Sequence, residues 1–331
     1  MKRTGTVIAV FLALVLGAAL PQAALAKAEY VLKLGHGSSA TNPYQTGALY
    51  FAEKVKQYTN GKVEIQVFPS FQLGDDIVQA KAVQMGTQDM CLIASNNTTG
   101  FWRAIDIFTL PYLQPSYDAA KQVLFGQVGK EIAAKFQKAT GMRIITYFTF
   151  GIRCIANNKH PVKVPDDLNG MKIRSPKNPI MLATYKALGA NPVPVAFAEL
   201  FTALQQGVAD GCDMSPADIF HNKYYEVQKY MSTTNIFTGV TLVLINEKLF
   251  QKMPADIQTA MQKAADEAGP YEWKVNEEAD AKSIEEVKKR GMQVLSPDIK
   301  PFKEKVKPVW QEFAKQVGGM EMIERVLAAQ K

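Results

Sequence analysis

Histidine and cysteine are scarce in this chain, and their scarcity removes several kinds of chemistry at once. The three histidines, His36, His160 and His221, stand too far apart to give the short spacings that set several ligands on one metal. No H-E-x-x-H, G-x-S-x-G or G-x-x-x-x-G-K occurs, so the signatures of zinc proteases, serine hydrolases and phosphate-cradling loops are missing. Cys91, Cys154 and Cys212 are too few for a disulfide framework and odd in number, so at most one bridge can close within the chain. Each sits in apolar or turn surroundings without a nearby histidine, which points to buried free thiols and not to a nucleophile. Neither a metal nor a cofactor is implied, and no enzyme chemistry is expected.

Long apolar runs are missing too, except at the start. Lys2 and Arg3 precede an apolar stretch from Val7 to Leu20, and Ala24-Leu25-Ala26 offers a small-residue cleavage site. Residues 1–26 are therefore expected to be an export signal, and the chain beyond them has the length of two ordinary domains. No later segment is long and apolar enough to span a bilayer, and no cysteine follows the signal to take a lipid anchor. The mature protein is expected in the periplasm and not embedded in a membrane. No block of one charge sign stands out either, because 38 Lys and Arg are interspersed with 31 Asp and Glu. Nucleic-acid binding is not suggested, whereas a net charge of +7 is compatible with attracting small anions.

What is present is an alternation of strands and helices. Tyr30 to Leu34 reads as a strand, and a helix from Tyr44 to Tyr58 follows, with Ala48, Phe51, Ala52 and Val55 on its inner face. The intervening Gly35-His36-Gly37-Ser38-Ser39-Ala40 matches a loose dinucleotide pattern. That reading fails because the helix starts too late, after Pro43, and no acid ends a second strand at the needed distance. Lys62 to Phe68 alternates as a second strand, Asp75 to Met85 forms a helix stopped by Gly86, and Asp89 to Ala94 is a nearly all-apolar, hence buried, strand. Such alternation implies a parallel sheet with ligands beyond the carboxyl ends of its strands, where Ser95 to Trp102 forms a polar loop ending in two aromatics.

One helix is expected from about Ser116 to Thr140. The strand from Met142 to Phe150 resumes after Gly151 as Ile152 to Ala156, long enough to leave one sheet and enter another. Arg153 lies in that crossing. Met171 to Ile173 then delivers Arg174 into a loop carrying Pro176 and Pro179, and the planar, always ionised fork of arginine suits a carboxylate. Ile180 to Leu188 and Val195 to Gly207 read as helices, with Gly189 to Pro194 as a turn between them. Val208 to Pro216 gives a short strand and turn, and Phe237 to Ile245 a strand returning to the first domain. Pro254 to Arg290 is helical with a kink or break expected at Gly269-Pro270, and Lys305 to Val326 adds one or two further helices.

Several of these stretches together carry a resemblance: Phe51-Ala-Glu53, Val67-Phe-Pro-Ser-Phe-Gln-Leu-Gly74, Leu168-Asn-Gly-Met-Lys-Ile-Arg174, Leu188-Gly-Ala190, Phe197-Ala-Glu-Leu-Phe-Thr-Ala-Leu-Gln-Gln-Gly207 and Asp210-Gly211. In this order and spacing the chain resembles the substrate-binding proteins of the tripartite ATP-independent periplasmic (TRAP) transporters, the DctP-like family, over nearly all of its mature length. The resemblance implies an α/β, two-domain periplasmic binding protein of class II type, with a cleft between the domains and a long helix crossing both. Residues 27–151 plus about 237–279 would form domain I, and 152–236 plus about 280–331 domain II. Its partners would be a small-molecule organic acid and the membrane permease subunits that receive it.

Carried onto this chain, the resemblance makes Arg174 the clamp of the ligand carboxylate, Arg153 a second cationic contact, Phe197 an aromatic wall and Asp76 a contact for polar groups. Asn96, Trp102 and His36 are further candidates because their loops should face the cleft. Met214 stands where a ligand-facing asparagine is common, and Ala94 where sialic-acid binders carry glutamate. Each loss would leave a ligand hydroxyl unpaired at about 1–3 kcal/mol. A monocarboxylate with an apolar or aromatic tail, or a 2-oxo acid, is therefore expected ahead of a sugar acid or a C4-dicarboxylate. A sensor that presents its ligand to a receptor kinase is the alternative of a different class.

Overall fold

The computed structural model describes residues 28–330, so the export signal expected over residues 1–26 lies outside the described residues. Two sheets organise the chain. The first runs in the order β2 (Val63–Phe68), β1 (Tyr30–Gly35), β3 (Met90–Ala94), β10 (Thr241–Asn246), β4 (Met142–Phe148). The second runs β11 (Gln293–Leu295), β9 (Tyr230–Ser232), β5 (Cys154–Asn157), β8 (Gly211–Met214), β6 (Lys172–Ser175), β7 (Asn191–Pro194). Strands β1, β2 and β3 are parallel, as their alternation with helices requires. The sheet is nonetheless mixed, because β10 returns late in the chain and inserts antiparallel between β3 and β4. All six residues of β10 are buried, which its unbroken apolar run Thr-Leu-Val-Leu-Ile demands.

Local chemistry sets the helix ends around the space between the sheets. Asn42 caps α1 (Pro43–Tyr58), accepting from Tyr44 N at 3.0 Å ahead of a proline in the first turn. Asp75 caps α2 (Asp76–Met85), which Gly86 closes in the left-handed region. The single helix expected over Ser116 to Thr140 is two, α3 (Tyr117–Phe125) and α4 (Gln127–Thr140), because Gly126 takes an extended conformation between them. Asn178 caps α5 (Pro179–Ala187), and Ser215 caps the short α7 (Pro216–His221). The helix expected over Val195 to Gly207 shrinks to a 3-10 turn and α6 (Leu200–Gln205). The turn expected at Gly189 to Pro194 contains β7, whose two prolines are tolerated because it is the edge strand of its sheet.

After β10 the chain forms α8 (Glu247–Lys252) and then α9 (Ala255–Lys289), one helix of 35 residues with Pro270 inside it. Of the kink or break expected at Gly269-Pro270, no break occurs. Gln262 donates to Ile145 O at 3.1 Å and Trp273 to Tyr147 O at 3.2 Å, so the helix is tied to β4 on both sides of the proline. A side chain at Gly269 would lie 2.5 Å from Thr146 Oγ1, so glycine is what lets α9 press against that strand. The tail helices α10 (Lys300–Phe313) and α11 (Met320–Ala328) touch both sides, with α10 packed against α5 beside the second sheet. Trp310 donates to Pro111 O, Gln316 to Asp106, and Arg325 pairs with Glu131 on α4, while Lys305 reaches Asp166 on the other side.

Two segments cross between the sheets side by side. Arg153 N donates to Phe237 O and Gly239 N to Gly151 O, each at 2.8 Å. Three residues of α9, spaced four apart and so on one helix face, grip the first crossing: Glu272 accepts from Thr149 N at 2.8 Å, Asn276 donates to Thr149 O at 3.1 Å, and Asp280 accepts from Ile152 N. Asp280 also takes Ala217 N at the start of α7. Gly151, at φ +88°, sits against this ladder; a side chain there would come within 2.5 Å of Asp280 Oδ2. All three cysteines are buried free thiols.

Candidate functional site

Arg174 is the third residue of β6 and only 2% exposed. Its Nε donates to Val195 O at 2.9 Å, and among the described residues it forms no ion pair. Burial lowers its pKa, the carboxylate of Asp213 opposes that and the neighbouring Arg153 adds to it. A charge so placed is costly unless a counter-ion arrives. It lines a cavity of about 50 Å³ between the two sheets, room for on the order of four waters.

Arg153 lines the same cavity but is not a free cation. Its Nε and Nη2 make a two-pronged bond to Asp213, at 2.6 and 2.8 Å, with the arginine 5% and the aspartate 1% exposed. Burial works against the Arg153 charge, and Asp213 more than offsets it, holding the guanidinium ionised. Its guanidinium also lies 5.2 Å from the centre of the Phe150 ring. The second cation expected from the sequence is thus neutralised by an acid one strand away, in the Cys212-Asp-Met-Ser-Pro216 stretch.

The remaining expectations divide. Phe197, Met214, Asp76 and Asn96 all line the cavity, as does Ala94. Phe197 meets Phe71 edge-on at 5.9 Å where the cavity opens into an outer cleft of about 660 Å³. Asp76, the first residue of α2, accepts from Asn97 Nδ2 at 2.8 Å. Burial pushes its carboxyl up to about 6, Asp75 adding to the rise while Asn97 and Arg174 oppose it. Asn96 donates to Asn97, and its carbonyl takes Asn178 from the α5 cap.

His36 and Trp102 do not reach the cavity. His36 follows β1 directly, is fully buried, and holds Gln45 at 2.8 Å, with its pKa lowered by burial. It is Gly37 and Ser38, the next residues of that loop, that face the cavity. Trp102 turns away and packs edge-on against Phe136 of α4 at 6.2 Å. A loop position beyond a strand places a backbone near a cleft; it does not decide which side chain turns in.

Sequence reasoning missed Tyr44 and Asp218, both buried and lining the cavity. The Tyr44 hydroxyl is bonded to Thr241 Oγ1. Asp218 is 4% exposed and accepts from Asn42 Nδ2 at 2.9 Å, across the cleft from a residue 176 positions earlier. Burial pushes it up to about 6, with Arg153 and Asn42 opposing. A signal for it existed, because Ser215-Pro216-Ala217-Asp218 has the Ser cap, early proline and first-turn acid of a helix start. The cavity lining therefore combines the apolar Leu92, Phe150 and Met214 with the guanidinium of Arg174, which has no ionic partner among the described residues, and two buried acids, Asp76 and Asp218. Perturbed acids that share a cleft with an unpaired guanidinium make it the candidate functional site.

Comparison with known proteins fits this geometry. Residues 34–316 match the model of bacterial extracellular solute-binding protein, family 7 (DctP). The chain is 32% identical over 272 residues, 82% of this chain and 83% of the other, to the 2,3-diketo-L-gulonate-binding periplasmic protein YiaO of Escherichia coli K12. It is 32% identical over 305 residues, 90% of each chain, to the C4-dicarboxylate-binding periplasmic protein DctP of Rhodobacter capsulatus. The crystal structure of a TRAP periplasmic solute-binding protein from Polaromonas sp. JS666 bound to D-erythronate superposes with a TM-score of 0.87 at 31% identity, covering 90% of this chain and 98% of that one. Among the described residues no helix is long and apolar enough to cross a membrane. With its two sheets, the α/β cleft between them and these matches, the chain belongs to the DctP family of TRAP periplasmic solute-binding proteins.

Proposed function

We propose that this protein captures a small organic monocarboxylate between its two lobes in the periplasm and hands it to a TRAP-type permease. The observation that carries the reading is Arg174, a buried guanidinium without an ionic partner among the described residues, lining an inter-sheet cavity. Its free Nη edge suits the two parallel hydrogen bonds of a carboxylate. Relatives in the family are named for a sugar acid and for C4-dicarboxylates. Charge counting favours one carboxylate here: Arg153 is already matched by Asp213, and a second ligand carboxylate would meet Asp76 and Asp218. The cavity opens past Phe197 into the outer cleft, which leaves room for a longer tail, while Leu92, Phe150 and Met214 support contact with its carbon chain.

Thermal-shift screening tests this. Four-carbon acids such as erythronate, butanoate and 2-oxobutanoate, with three- and six-carbon homologues, are compared on wild type and Arg174→Ala. A ligand at about 100 times its Kd adds about 2.7 kcal/mol of stability. At least one monocarboxylate is expected to raise the wild-type Tm and to leave the variant unmoved. Equal shifts in the two proteins would reject Arg174 as the clamp.

A further inference from the structure

We propose that Asp218, steadied by Asn42 from across the cleft, is a specificity-determining residue that accepts a hydroxyl of the bound acid and turns away a second carboxylate. The inference rests on the carboxylate reading of Arg174 and concerns the other end of the ligand.

Two acids and one unpaired cation line the cavity. Arg153 and Asp213 satisfy one another, so the charges left to meet a ligand are Arg174, Asp76 and Asp218. A monocarboxylate on Arg174 uses the single free cation. Whatever then lies against Asp218 has to be a hydrogen-bond donor if the acid is ionised, since an ionised carboxylate can only accept. An alkyl chain would leave the oxygen that Asn42 does not hold without a donor in a buried site, and a second carboxylate would face it with like charge. Hydroxyl groups on the ligand satisfy both Asp76 and Asp218 while the carbon backbone lies on Leu92, Phe150 and Met214. A carbonyl cannot do this, which sets a 2-oxo acid behind a hydroxy acid.

The Asn42 contact gives this acid a second role. Asn42 caps α1 on the first sheet's side, and Asp218 stands on α7 beside the second sheet, so their bond at 2.9 Å exists only while the two sides are together. Asn42 Nδ2 occupies one carboxylate oxygen and thereby fixes how Asp218 faces the cavity. A ligand that suits Asp218 is therefore read at the moment of closure, and one that repels it opposes closure as well as contact.

The test is isothermal titration at pH 7.5 with matched acids of three, four and six carbons: hydroxylated monocarboxylates (glycerate, erythronate, galactonate), their unsubstituted alkanoates, and the corresponding dicarboxylates. Wild type is expected to prefer the hydroxylated acid over both counterparts by at least tenfold at the chain length it binds best. Asp218→Asn keeps the shape and still accepts from Asn42, but turns a donor toward the ligand. It should shift the ratio of dicarboxylate to hydroxy-acid affinity by at least tenfold toward the dicarboxylate. Asn42→Ala, which leaves the acid in place, should weaken the hydroxy acid severalfold. The ligand-free Tm of each variant checks that it is folded. If Asp218→Asn changes all three classes by the same factor, or wild type prefers the alkanoate at every length, the proposal is wrong while the Arg174 reading stands; a preference for the dicarboxylate at every length overturns both the proposal and the monocarboxylate reading, leaving Arg174 as a carboxylate clamp. If no acid binds wild type, or Arg174→Ala binds them unchanged, it is the carboxylate reading itself that fails, and this inference with it.

Discussion

At Arg153 and Asp213 two opposite charges are buried together, and their energetics differ from those of the exposed pairs on the helices. Taking either one away leaves the other desolvated without a partner. Arg153→Met or Asp213→Leu alone is expected to destabilise the protein by about 3–5 kcal/mol. The double replacement Arg153→Met, Asp213→Leu should cost clearly less than the sum of the single changes. Urea unfolding of the four proteins of this cycle checks it, and additive losses would mean that the pair is not coupled. Arg174 differs because its partner is the ligand. Replacing it should abolish binding and leave the ligand-free protein no less stable, since a buried unpaired charge is removed with it. Six of the eight expected residues, Arg153, Arg174, Phe197, Met214, Asp76 and Asn96, line the cavity and so were legible from the sequence. Asp218 was not, because its neighbour Asn42 is 176 positions away and only closure of the chain brings them together.

Among the elements, α9 grips the crossing from β4 to β5 through Glu272, Asn276 and Asp280. Gly151 is the point where the crossing turns against that helix, with positive φ and no room for a side chain. Gly151→Ala should therefore cost about 1–3 kcal/mol from backbone strain alone, and the contact with Asp280 adds to it. Because the same residue lies on the crossing, ligand affinity should fall as well. Calorimetric Tm and titration with the best-bound acid measure the two effects, and an unchanged Tm would show that the crossing has slack. Helices and strands with strong period were legible from the sequence: α1, α2, β2 and β3 stand within a residue or two of where their apolar spacing put them. Elements decided by distant partners were not. β7 is a strand because β6 offers it an edge, α9 runs through Pro270 because β4 holds it on either side, and β10 is antiparallel because of where its neighbours already lie.

Across the whole molecule, buried acids outweigh salt-bridged ones in setting how stability follows pH. Burial raises Asp76, Asp106 and Asp218 to about 6 and Asp280 to about 7. Between the ordinary carboxylate range and these values the folded protein holds more protons than the unfolded chain, so stability falls as pH rises from about 4 to about 7. Glu131, held near 2 by Arg325 and Lys135, acts in the opposite sense only at lower pH, and it is exposed enough for solvent to screen it. His36 and His221, held below their ordinary value by burial, oppose this over the same window, but four acids outnumber them, so the ligand-free Tm should be higher at pH 5 than at pH 8 in buffers of equal ionic strength. A Tm that rises steadily from pH 5 to pH 8 would mean that these acids are ionised and compensated in the folded state.

The central claim is that the ligand's carboxylate is held by Arg174 and not by Arg153. A crystal structure of the protein with its best-bound acid decides it. Both carboxylate oxygens are expected at about 2.7–2.9 Å from the two Nη atoms of Arg174, with Arg153 still paired to Asp213. A ligand whose carboxylate has displaced Asp213 from Arg153, leaving Arg174 against a hydroxyl or water, would contradict it.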